Sequence, residues 1–103
     1  MLHTIWDNIA ETDRPIMKII FRNNNTRVIA FGLKKGMKLT DHQLPVNTKI
    51  ILMKGEVEIE SKIETVTLTD FEEYEIAPKV IHQVTAKEDL MMLVILNFNE
   101  KSF

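Results

Sequence analysis

Lys49-Ile50-Ile51-Leu52-Met53-Lys54-Gly55-Glu56-Val57-Glu58-Ile59-Glu60 reads as two strands about a turn. Successive side chains of a strand point to opposite faces. Lys49 to Met53 is apolar on both, with Ile50 and Leu52 on one side and Ile51 and Met53 on the other. Such a segment suits a strand covered from two directions. After Gly55 the acidic and apolar residues alternate strictly, the mark of a half-buried strand.

The same texture continues on either side. Ile16 to Arg22 and Thr26 to Leu33 are apolar segments flanking Asn23-Asn24-Asn25. Asn tolerates the left-handed region, so this is a good turn. Glu64 to Leu68 alternates again, and Leu90 to Leu96 is continuously apolar. The connection Ser61-Lys62-Ile63 lacks Gly. Only the neighbourhood of Thr4 to Glu11 reads as helical, with Thr4 as a candidate cap three residues before Asp7. Asp13 and Pro15 then lead into the first strand. Many short strands at even spacing predict an all-β chain, an antiparallel β-barrel or jelly roll of two facing sheets with a short N-terminal helical turn.

Composition is compatible with one small domain. The 103 residues carry 45% hydrophobic residues and a formal net charge of −2. They divide into an N-terminal segment, 1–14, and a barrel, 15–97, with no repeat or low-complexity stretch. The charge gives no reason to expect nucleic acid or an anionic membrane as partner. Without cysteine there are no disulfides and no thiolate chemistry. No basic start precedes an apolar run and a small-residue cleavage site. The apolar runs are too short to span a bilayer, so a cytoplasmic protein is the default expectation.

Gly36, His42 and Gly55 stand in the register of a known motif, G-x5-H-x-H-x3-E-x6-G. Leu44 takes the place of its second His and Thr48 the place of its Glu. A second motif, G-x5-P-x-G-x2-H-x3-N, falls on Phe71, Ala77, Lys79, His82 and Ala86, where His82 is the match. In this register the chain resembles the cupins over roughly residues 16 to 97. The resemblance implies a cupin-like double-stranded jelly roll with His42, Leu44, Thr48 and His82 converging on its interior.

That set is short of metal donors. A catalytic zinc takes three protein ligands plus water, and non-haem iron takes two His and a carboxylate. Here a hydroxyl replaces the carboxylate and a hydrocarbon replaces one imidazole. No tightly bound metal or other cofactor is expected; a divalent ion, if held, would rest on His42 and His82. Asp41 and Gln43 fall on the opposite face by alternation, unless a β-bulge re-aims one of them.

Each residue also has a plainer role. His42 can end a strand near solvent, and His82 can be a core histidine satisfied by a backbone carbonyl. Asp70, Glu72, Glu73 and Glu75 suit a solvated face better than a metal site. Met91 and Met92 suit packing. Trp6 suits an anchor for the N-terminal helix.

Three functions follow. The first, and favoured, is a metal-independent module binding a small organic ligand, its cavity lined by His42, Leu44, Thr48, Ile50, Leu52 and His82. The second is a metal-dependent enzyme of dioxygenase or isomerase type using His42 and His82. The third is a dimeric structural or sensory piece. A homodimer is expected in any case, because Leu90 to Leu96 and Lys49 to Met53 are apolar on both faces and one barrel interior covers only one of them.

Overall fold

The computed structural model describes residues 2–42, 46–78 and 80–98, with residues 40–42 as backbone alone. An α-helix, α1 (Leu2–Asn8), runs into a 3-10 turn, Ile9–Glu11. Among the described residues nine strands follow: β1 (Ile16–Arg22), β2 (Thr26–Leu33), β3 (Lys38–His42), β4 (Asn47–Lys54), β5 (Val57–Glu60), β6 (Thr65–Leu68), β7 (Glu73–Ile76), β8 (His82–Ala86) and β9 (Leu90–Asn97). They form a five-stranded sheet, ordered β1-β2-β9-β4-β7, and a four-stranded sheet, ordered β3-β8-β5-β6, all pairings being antiparallel. The expected all-β jelly roll is what the chain adopts. The two sheets share no strand, so the structure is a pair of facing layers rather than a closed barrel.

Alternation decides what each layer buries. In β4, Thr48, Ile50 and Leu52 face inward and are buried, while Lys49, Ile51 and Met53 are half-buried on the outer face. In β5, Val57 and Ile59 are buried. Leu33, Leu52, Val57, Ile59, Leu68, Ala86 and Leu90 belong to the main core. Asn23 makes the predicted turn between β1 and β2: its side-chain carbonyl accepts the Asn25 and Thr26 N–H groups at 2.9 and 2.8 Å. Ser61 closes the glycine-free turn between β5 and β6, its Oγ accepting the Ile63 and Glu64 N–H groups.

Two expectations change. Thr4 is not a cap but lies inside α1, which begins two residues earlier. The helix is held instead by its apolar side. Ile5 is buried with Ala30 and Met91, and Leu2, Trp6, Met53 and Leu93 pack around them. Helix and sheet approach so closely that a Cβ on Gly32 would stand 2.7 Å from Ile5 Cγ2. Hence cover for Met53 of β4 and for Met91 and Leu93 of β9 on the outer face comes from within the chain. The two-faced apolarity of those strands therefore does not by itself require a partner.

Candidate functional site

A cavity of about 200 Å³ lies between the two sheets. On the five-stranded side it is walled by Ile29 and Phe31 of β2, Thr48 and Ile50 of β4, Ile76 of β7, and Met92, Val94 and Leu96 of β9. On the other side stand Leu39 of β3, His82 and Val84 of β8, and Val80 just before β8. Ten of these twelve side chains are hydrocarbon or thioether; Thr48 and His82 are the polar two.

Both polar groups have commitments. Thr48 is 2% exposed, and its hydroxyl donates to the Val46 carbonyl at 3.3 Å. His82 is 8% exposed, with Nδ1 3.0 Å from the Val80 carbonyl oxygen. A carbonyl can only accept, so Nδ1 carries the proton of this contact and Nε2 is the ring nitrogen left for another partner. Tyr74 meets the His82 ring edge-on, with centroids 6.2 Å apart and planes at 66°. Its phenol donates to Glu64 Oε1 at 2.5 Å. Tyr74 belongs to the five-stranded sheet and Glu64 immediately precedes β6 of the other, so this bond ties the layers together beside the histidine.

The sequence-derived residues divide in three. Thr48, Ile50 and His82 line the cavity. Leu52 does not: it is fully buried further along β4, among the core residues that fill that end. Leu44 lies outside the described residues, as does the side chain of His42. The backbone of His42 is informative nonetheless. Leu39 pairs with Val84, and the register then slips so that His42 pairs with His82. Without the slip, Asp41 would stand opposite His82. An irregularity in β3 thus brings the two histidine positions to one rung of the ladder.

The remaining wall residues were not singled out by motif. Their signal was present in alternation. Once Thr48 and Ile50 face inward, antiparallel pairing with β9 selects Leu96 and Val94. Pairing of β9 with β2 in turn selects Ile29 and Phe31.

No protein-family model matches the chain, and no curated protein matches it. Solved structures do resemble it. A cupin-superfamily protein from Desulfitobacterium hafniense DCB-2 superposes with a TM-score of 0.81 at 15% identity, over 86% of this chain and 82% of that one. KdgF from Halomonas sp. gives 0.76 at 17% identity, over 87% and 85%. A conserved protein of unknown function from Streptococcus pyogenes gives 0.79 at 21%, over 88% and 80%. This chain has the cupin fold.

The cupin motif positions can now be placed. Gly36 and Gly55 adopt φ of +91° and +112°, conformations that L side chains avoid. A Cβ on Gly55 would lie within 2.4 Å of the Asp89 carbonyl oxygen. Phe71, where the second cupin motif has glycine, keeps the glycine-like backbone with φ of +68°. The acidic run beside it is exposed and serves the turns. Asp70 Oδ1 accepts the Gly55 N–H at 2.7 Å, and Glu72 Oε1 accepts from the N–H and hydroxyl of Thr69. Those two bonds, the backbone one foremost, pull the Glu72 carboxyl below the ordinary glutamate range. Glu73 and Glu75 flank Lys49 at 3.1 and 3.8 Å. Among the described residues no three His, Cys, Asp or Glu side chains gather where an ion could sit.

Proposed function

We propose that this cupin is a metal-independent binding module for a small, largely apolar organic molecule held between its sheets. The observation that carries the reading is the cavity wall, with ten apolar side chains against a single hydroxyl and a single imidazole. Removing apolar surface from water is the main driving force for occupying such a space. The volume slightly exceeds that of an engineered apolar cavity of about 150 Å³ that takes up benzene. The neutral hydroxyl of Thr48, engaged with the Val46 carbonyl at the position of the motif's Glu, supports a metal-free role, because no carboxylate stands there to offset an ion's charge. The reading against it is a metal-dependent cupin enzyme, favoured by the pairing of His42 with His82.

Thermal unfolding with neutral probes such as indole and 2-phenylethanol tests the proposal. A probe at about a hundred times its Kd should raise stability by about 2.7 kcal/mol. Val94→Phe, which fills the cavity, should abolish the effect while the protein still folds. A wild type indifferent to every probe would reduce the cavity to a packing defect. Stoichiometric iron, zinc, manganese or nickel in protein purified without a metal-affinity tag, lost on His82→Ala, would restore the enzyme reading.

We also infer a homodimer, on different grounds from those of the sequence. β1 is an edge strand. Its Met17 and Ile19 pair with Phe31 and Ile29, so they extend the inner face of the sheet, yet they are 58% and 46% exposed. A second copy pairing along β1 would cover them.

A further inference from the structure

We propose that the cavity's ligand is a carboxylate, its apolar body lying between the sheets and its charged group held at the rim by Arg27, with Arg22 beside it. This rests on the cavity being a binding site, as argued above, and adds the chemical class of the ligand.

Arg27 lies within β2, and its parity is that of Ile29 and Phe31. It pairs across the ladder with Leu96, another wall residue. Arg27 is therefore one inward-facing step, about 7 Å, beyond the lining. Phe98 occupies the equivalent step beyond Leu96. The Arg27 guanidinium carbon stands 5.2 Å from the centre of the Phe98 ring, a cation–π contact.

Three features mark this arginine as a group awaiting an anion. Its Nε is buried and has no hydrogen-bond partner. Buried polar groups without partners are uncommon and costly, all the more when charged. Second, its cross-strand neighbour on β1 is Arg22. Like charges directly opposite repel, and a shared anion converts that repulsion into attraction. Third, among the described residues no carboxylate lies within ion-pair distance of either arginine, whereas Lys35 and Arg14 each have one and Lys49 has two. The fork suits a carboxylate, which accepts two parallel N–H bonds. The ligand class is thus a monocarboxylic acid with a short aromatic or branched tail.

The experiment compares 3-phenylpropanoate with 3-phenylpropanamide by calorimetry at pH 7. The two share shape and tail and differ in charge. Wild type should bind the acid about tenfold or more tightly than the amide, with a preference that shrinks as salt rises. Arg27→Gln should abolish the preference and leave amide affinity unchanged. Arg27→Lys, which keeps charge but not the fork, should retain part of it. Arg22→Gln, at an exposed position, should weaken the acid alone, and this holds the test open if Arg27→Gln fails to fold. Equal affinity for acid and amide in wild type would overturn the carboxylate assignment and leave the cavity reading standing. Binding of neither probe would overturn both.

Discussion

Tyr74 is the chain's one tyrosine, so its hydroxyl can be titrated without interference. Its bond to the Glu64 carboxylate, with a smaller contribution from burial, pushes its pKa up to about 12 from the ordinary 10. A raised folded-state pKa favours the protonated form. The bond therefore contributes stability in full below about pH 10, and the contribution is lost as pH rises from about 10 to about 12. Ultraviolet titration should show tyrosinate forming near pH 12, and Glu64→Gln should return the midpoint towards 10. A wild-type midpoint at 10 would deny the tie between the sheets. At this scale the sequence was partly legible. Register alone brought Thr48, Ile50 and His82 to the cavity, and the carbonyl-satisfied core role weighed for His82 is the contact its Nδ1 makes. Leu52 misled because shared parity does not imply shared depth: it faces inward with Ile50, but where the sheets meet over packed side chains. Arg27 passed unremarked although a charge with the inward parity of Ile29 was visible in the strand.

Among elements, the connection from β6 to β7 shows how backbone bonds can hold a residue in a conformation it resists. The Phe71 N–H donates to the Leu52 carbonyl at 2.7 Å, and the Leu52 N–H donates to the Glu72 carbonyl at 2.9 Å. These bonds clamp the turn on β4 and keep Phe71 at positive φ while its ring is 82% exposed. The left-handed region costs a residue with a Cβ about 1–2 kcal/mol, and here no burial of the ring offsets it. Phe71→Gly should therefore stabilise the chain by about 1 kcal/mol, a rise of about 4–8 °C in thermal midpoint for a domain of this size. A lowered midpoint would mean that the ring contributes more than its exposure suggests. Strands were the legible elements because alternation is written residue by residue. The helix start was not, because α1 is fixed by Ile5 and Trp6 against a sheet brought from far along the chain, and a local cap signal cannot report that contact. The slips in β1 after Ile19 and in β3 after Leu39 left no mark in composition.

For the molecule as a whole, α1 shields the outer face of the larger sheet and leaves the inner face of β1 as the uncovered apolar row. Light scattering should give twice the chain mass at about tens of micromolar, above the range of Kd for stable dimers. Met17→Lys with Ile19→Lys should halve it without loss of fold, since both side chains are already exposed. A wild-type monomer at that concentration would overturn the pairing. The order of strands carries one more consequence, and it concerns time. β9 is the last of the described strands in chain order, yet it lies at the centre of the larger sheet, between β2 and β4. As the chain emerges from the ribosome N-terminus first, β2 can pair with β1 and β4 with β7, but the two pairs have no strand to join them until some forty residues beyond β4 have been made. Through that interval the edges of β2 and β4 that will flank β9 stand open, and β9 must be made before the sheet can exist.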